Sequence, residues 1–182
     1  MTTESYNFEI SKVDSSQVEL YFGEGALKDI TSFSNAGAGK VTVTCPIAHG
    51  KADNDYVKIA DGGFYDGVHQ ISDKTDLTFA ITTPWEGTLS GAKWQDPTDL
   101  TGKTVAADIV KNLGDSKVLA SWTISYPDAS HGHARGVLLK AAKAHFPKGK
   151  VYCDFILTIT ATGWPDQVLR SEITVHEGAT QG

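Results

Sequence analysis

Val151-Tyr152-Cys153-Asp154-Phe155-Ile156-Leu157-Thr158-Ile159 is the most strongly alternating run of the chain. In an extended strand Val151, Cys153, Phe155, Leu157 and Ile159 fall on one face, while Tyr152 and Ile156 add apolar surface to the other. That is the pattern of a central strand, covered in part on both sides. Working outward, Val105, Ala107 and Ile109 alternate in the same way, as do Val118, Ala120, Trp122 and Ile124. The stretch Tyr126 to Arg135 reads as a loop, with Pro127, Asp128 and Gly132 as breakers, and Val137 and Leu139 start a further strand. One short helical phrase, Ala141-Ala142-Lys143-Ala144-His145-Phe146, is stopped by Pro147 and Gly149. Thr162 to Asp166 is a hairpin loop, and Leu169, Ser171, Ile173 and Val175 complete the series. Residues 96–176 therefore read as an immunoglobulin-like β-sandwich with one short helix, and the small, polar residues 177–182 as a flexible tail.

Upstream, residues 29–95 read as a small β-barrel or sandwich module, with short strands separated by turn clusters. Val41, Val43 and Cys45 alternate, Asp55 to Ile59 is the next strand, Asp61-Gly62-Gly63 is a turn, and Leu77-Thr78-Phe79-Ala80-Ile81 alternates again. The join is placed near Gln95. Residues 1–28 carry two alternating runs, Phe8 and Ile10, then Val18, Leu20 and Phe22. They are either an N-terminal arm or strands that complete the C-terminal sandwich. The fold class expected is all-β throughout.

The bulk composition, with 40% hydrophobic and 21% charged residues, is that of an ordinary soluble globular chain. A formal net charge of -6 speaks against nucleic acid as a partner, because phosphate binding needs a cationic surface. The lysines at 140, 143, 148 and 150 read as a solvated helix face and turn. No apolar run reaches membrane-spanning length, and Met1 to Ser5 has neither the basic nor the apolar part of a signal peptide. The expectation is a soluble protein made in a cytoplasm. There the two cysteines, Cys45 and Cys153, stay reduced and fill inward strand positions.

The local motif that stands out is His131-Gly132-His133. An H-x-H pair can ligate a metal, and three chains contributing one pair each would complete a site. Against this, Ser130 and Ala134 offer no carboxylate to fix the imidazole tautomer, and the reading kept is a polar loop with two exposed histidines. His49, Asp53 and Asp55 lack the ligand number and spacing of a calcium or zinc site, and turn-stabilising hydrogen bonds account for them. No G-x-S-x-G is present, and Gly37-Ala38-Gly39-Lys40 lacks the setting of a phosphate loop. No cofactor and no enzymatic activity are expected. Among Trp85, Trp94, Trp122 and Trp164, Trp122 suits a core, and Trp164, beside Pro165, is the candidate for a protein contact or for glycan stacking.

Two resemblances give these patterns a setting. His49-Gly50, Asn54-Asp55-Tyr56-Val57, Tyr65-Asp66-Gly67 and Thr78-Phe79-Ala80-Ile81 are similar to a small β-module that recurs in bacteriophage tail and structural proteins. Lys51 and Asn54 stand where that module usually has an apolar residue and a glycine; Asn tolerates the left-handed backbone. Asp99-Leu100-Thr101-Gly102, then Phe146-Pro147-Lys148-Gly149-Lys150-Val151-Tyr152-Cys153-Asp154-Phe155, and finally Leu169 to Val175, resemble the immunoglobulin-like N-terminal domain of phage upper baseplate proteins. In such proteins a strand pair often precedes the D-L-T-G phrase, and small β-modules can be inserted between the two. The resemblance implies a virion structural protein acting as a tail, baseplate or fibre-attachment component. Its partners would be other phage structural proteins and further copies of itself. The alternatives are a head decoration or head-fibre protein, and a module binding host surface glycan.

Overall fold

The computed structural model describes residues 3–11, 16–112, 116–139, 146, 149–159 and 165–176, with side chains at 16–112, 116–139, 146 and 151. The helical phrase expected from 141, apart from Phe146, the residue Trp164 and the tail 177–182 lie outside the described residues. The fold is all-β with several antiparallel sheets, of β-sandwich character. In chain order the strands are β1 Thr3–Ser11, β2 Ser16–Tyr21, β3 Gly23–Asp29, β4 Ser32–Gly37, β5 Lys40–Thr44, β6 Tyr56–Ala60, β7 Gly67–Ser72 and β8 Thr78–Thr82. They continue as β9 Lys93–Pro97, β10 Lys103–Val110, β11 Val118–Ser121, β12 Thr123–Asp128, β13 His133–Leu138, β14 Gly149–Ile159 and β15 Pro165–His176.

The chain forms two compact units. One comprises Met1–Leu20, Leu100–Pro127 and Ala134–Gly182, the other Tyr21–Asp99 and Asp128–His133. These bounds differ from the ranges 1–28, 29–95 and 96–176. In particular Gln95, the expected join, is buried in β9, which pairs with both β3 and β6.

In the unit built mainly from Tyr21–Asp99, seven strands run in the order β3-β9-β6-β7-β8-β5-β4. Only Ile30 and Thr31 separate the two outermost strands. The Ile30 N–H donates to the Ala92 carbonyl at 3.0 Å, and the Thr31 N–H to the Thr44 carbonyl at 2.7 Å. One run of chain thus lines both margins, and the sheet closes into a barrel. Its interior is filled by Val41, Val43, Val57, Ile59, Phe79 and Trp94, among others. Phe79, Ala80 and Ile81 are all buried while Leu77 is exposed, so the alternation expected there does not hold. β8 lies inside the sheet between β7 and β5, and its ends are set by the barrel. Within that core, buried Tyr65 stacks on Trp85, donates its hydroxyl to the Gly87 carbonyl at 2.8 Å and accepts from the Glu86 N–H at 2.9 Å.

The other unit has a five-stranded sheet, β1-β15-β14-β10-β11, and a three-stranded sheet, β12-β13-β2. Val105, Ala107 and Ile109 of β10 are buried, as the alternation predicts, and so is Val151 of β14. The Gly102 backbone is left-handed at φ 72°, and the Lys103 N–H returns to the Leu100 carbonyl, so the D-L-T-G phrase is a tight turn anchored by buried Leu100.

Three expectations are corrected in this unit. Val118 to Ile124 is not one strand. The chain leaves the five-stranded sheet at Trp122, whose N–H still bonds the Ala107 carbonyl, and enters the three-stranded sheet as β12. The stretch from Tyr126 is not all loop, because β12 runs to Asp128 and β13 starts at His133. In β13 the buried positions are Ala134, Gly136 and Leu138, while Leu139 is exposed. Close packing inverts the phase: a Cβ at Gly136 would lie 3.2 Å from the Trp122 ring. β1 pairs in parallel with β15, so the first and last strands are neighbours.

Replacing Tyr65 by Phe removes a buried hydroxyl and leaves the Glu86 N–H and Gly87 carbonyl without it. The expected loss is about 1–3 kcal/mol of stability, read from urea unfolding followed by tryptophan fluorescence.

Candidate functional site

The H-x-H triplet sits in the segment Asp128–His133, which belongs to the barrel unit. Ala129–His131 forms one 3-10 turn, and Gly132 follows at φ 76°, in the left-handed region. The Gly132 carbonyl accepts the Phe22 N–H at 2.9 Å, and the Phe22 carbonyl accepts the Thr98 N–H at 2.9 Å. A Cβ at Gly132 would lie 2.4 Å from the Phe22 oxygen. No side chain fits there, so glycine is required by space as well as by backbone conformation.

On either side of this contact the imidazoles stack on tyrosines. His131 lies on Tyr56 with ring centres 3.6 Å apart, and His133 on Tyr21 at 4.8 Å. Both are half-buried rather than exposed as expected. His131 Nδ1 lies 3.0 and 2.8 Å from the two Asp128 oxygens. Ser130 Oγ donates to Asp128 Oδ1 at 2.8 Å. An ionised carboxylate only accepts, so Nδ1 carries the proton and the tautomer is fixed. The sequence reading found no carboxylate for this histidine. Asp128 supplies it from three residues upstream, and the signal was the spacing Asp128-Ala129-Ser130-His131, which a single 3-10 turn folds back on itself.

Burial raises the Asp128 pKa, but the hydrogen bonds from His131 and Ser130 outweigh it and the carboxyl sits below its usual range. Ser130 Oγ also lies 3.2 Å from Nδ1, on the carboxylate side of the ring, so it does not form a nucleophile with Nε2. Among the described residues no group of three or more His, Cys, Asp or Glu could hold a metal. The arrangement can orient an imidazole and fasten a loop.

The other chemistry-bearing residues of the barrel are also structural. Buried His49 accepts the Lys51 N–H at Nδ1 (3.0 Å), so its Nε2 donates to the Thr78 carbonyl at 3.1 Å. Asp55 accepts the Ala52 N–H at 2.8 Å and Asp53 the Lys74 N–H at 3.0 Å. Asn54, standing where a glycine is usual, has φ 73°. Lys51, standing where an apolar residue is usual, pairs with Asp96. Trp94 and Trp122 are core residues, and Trp85 is partly buried against the barrel core. Trp164 lies outside the described residues.

One polar cleft opens where β7 and β8, paired only at Ile71↔Ile81 and Ser72↔Ala80, diverge. It encloses about 340 Å³ between Lys40, Asn54, His69, Gln70 and Thr82. His69 Nε2 faces the Tyr65 carbonyl at 2.9 Å, and burial holds its pKa below the ordinary imidazole value despite that hydrogen bond. Lys40 is drawn away to Ser72 and Asp73, at 3.2 and 2.6 Å. No family model matches the chain, and no curated protein matches it significantly.

Two outcomes are expected. Gly132→Ala combines a left-handed Ala with a clash on the Phe22 carbonyl and costs about 2 kcal/mol or more, measured by thermal and urea unfolding. For Asp128, the folded pKa lies below the unfolded value of about 3.9. Its stabilisation is therefore present above that pH and lost as pH falls through the folded pKa. Asp128→Asn removes this part of the acid dependence, so wild-type and variant stabilities converge when unfolding is followed down to strongly acid pH.

Proposed function

We propose that this chain is a bacteriophage virion structural protein, a tail, baseplate or fibre-attachment component that works through protein–protein assembly and is assembled in the host cytoplasm. The observation that carries the reading is the order of the two units along the chain. In the phage proteins that the chain resembles, a strand pair often precedes the D-L-T-G phrase and a small β-module can be inserted between the two. Here Met1–Leu20 and Leu100–Pro127 belong to one compact unit, and Tyr21–Asp99 between them supplies most of the other.

Residues that carry the resemblance have physical work at those positions, which supports it further. Gly102 takes the left-handed turn after buried Leu100, Asn54 takes a glycine-like backbone, and His49 ties its loop to Thr78. In this reading the chain catalyses nothing and takes no cofactor. Its partners are other phage structural proteins and further copies of itself, met through surfaces.

Immunogold labelling of purified particles with antibody to this chain is the test. Gold at the tail or its tip is the expected outcome. Gold over the head would replace this reading with a head decoration or head-fibre role. No label on intact or disrupted particles would overturn a virion role, and glycan-array binding would then favour the host-glycan module.

A further inference from the structure

We infer that two copies of this chain associate through the outer edge of β1, pairing antiparallel about a two-fold axis at Asn7. The inference deepens the assembly reading above by naming the strand that docks, and it rests on that reading only for its biological setting.

The strand margins among the described residues are β3 and β4 of the barrel unit and β1, β11, β12 and β2 of the other two sheets. All but β1 are blunted in ways that discourage pairing: β3 meets β9, and β4 meets β5, through a register shift. β11 has four residues and meets β10 through a register shift. β12 contains Pro127, which has no N–H to offer a ladder. β2 is short, and its Glu19 is tied to Arg135 of the neighbouring strand. β1 differs: nine residues, no proline, no lysine, and an unbroken register with β15 from Thr3↔Val168 to Ser11↔His176.

The sequence of β1, Thr3-Glu4-Ser5-Tyr6-Asn7-Phe8-Glu9-Ile10-Ser11, is complementary to itself when reversed. One antiparallel register uses all nine residues. It sets Asn7 against Asn7, Tyr6 against Phe8, Ser5 against Glu9, Glu4 against Ile10 and Thr3 against Ser11. No two like charges stand opposite each other, and the aromatic pair occurs twice, an arrangement that stabilises cross-strand contacts. The pleat is respected too, since even positions meet even positions. Through β15 these even positions continue the row of Leu169, Ser171, Ile173 and Val175, and Ile173 is opposite buried Val151 of β14. The paired sheet thus continues this row, apolar in sequence except for Glu4 and Ser171, across ten strands, with an isologous contact as a two-fold requires. The net charge of -6 on each copy opposes association, so added salt should strengthen the dimer.

Sedimentation velocity of the full chain over a dilution series should show a monomer–dimer equilibrium. Asn7→Lys places two lysines face to face on the axis, while within one chain register puts the new lysine beside Glu172. It should leave the melting temperature unchanged or raised, and weaken the dimer roughly five-fold or more. Asn7→Cys should cross-link two copies in oxidised glutathione far faster than wild type, whose own cysteines are the background. It should also outpace Glu9→Cys, whose partner in this register is Ser5. A monomer at every dilution would overturn the inference. So would a dimer that Asn7→Lys does not weaken and Asn7→Cys does not trap, because exchange of β1 between copies, or another edge, would then be responsible. Particle labelling tests the virion role separately, so either proposal can fail while the other stands.

Discussion

Two residues, Ile30 and Thr31, carry the chain from one margin of a seven-stranded sheet to the other. An open sheet of that size would leave two rows of unpaired backbone groups. Here one segment joins the two margins, with Ile30 bonded to Ala92 and Thr31 to Thr44. Closure turns one face of every strand inward, and the interior is filled by Trp94, Tyr65, Phe79 and aliphatic side chains. Most polar residues of this unit are left to the turns, with Lys58 of β6 and Gln95 of β9 as buried exceptions.

That constraint explains why residues with catalytic potential act as fasteners. His49 bonds to backbone at both ring nitrogens, Asp53 and Asp55 each accept a backbone N–H, and Lys51 pairs with Asp96. The Asp128–His131 pair belongs to the same economy. Its imidazole is oriented by a carboxylate and covered by Tyr56, and the adjacent Gly132 is held against Phe22 and Thr98. Short loops at a barrel rim have few packing contacts, so hydrogen bonds and ring stacking must hold them.

The two units meet the problem of sheet edges differently. The barrel unit brings its two margins together at Ile30 and Thr31. The other unit has four among the described residues, and it blunts three of them by shortness, by Pro127 and by the Glu19–Arg135 pair. The parallel pairing of β1 with β15 makes the first and last strands neighbours, with β1 the outermost strand of the longer sheet.

Much of this was written in the sequence, and the divide has a physical cause. Local rules alone identified the all-β class, the buried face of β10 and of β5 and the turn at Asp61-Gly62-Gly63, while the glycine-like role of Asn54 came with the resemblance. Each depends only on side-chain period or on a single residue's backbone preference. The contacts that decide the rest join residues distant in sequence. Barrel closure needs Ile30 to find Ala92, and Thr31 to find Thr44. The phase of β13 is set by Gly136 fitting against Trp122, a small residue that carries no hydrophobic signal. Trp122 divides one alternating run between two sheets, which periodicity cannot register because the period continues unbroken through the switch. His131 and His133 read alike in the sequence, yet Tyr56 covers one and Tyr21 the other, and tertiary packing alone could choose those partners.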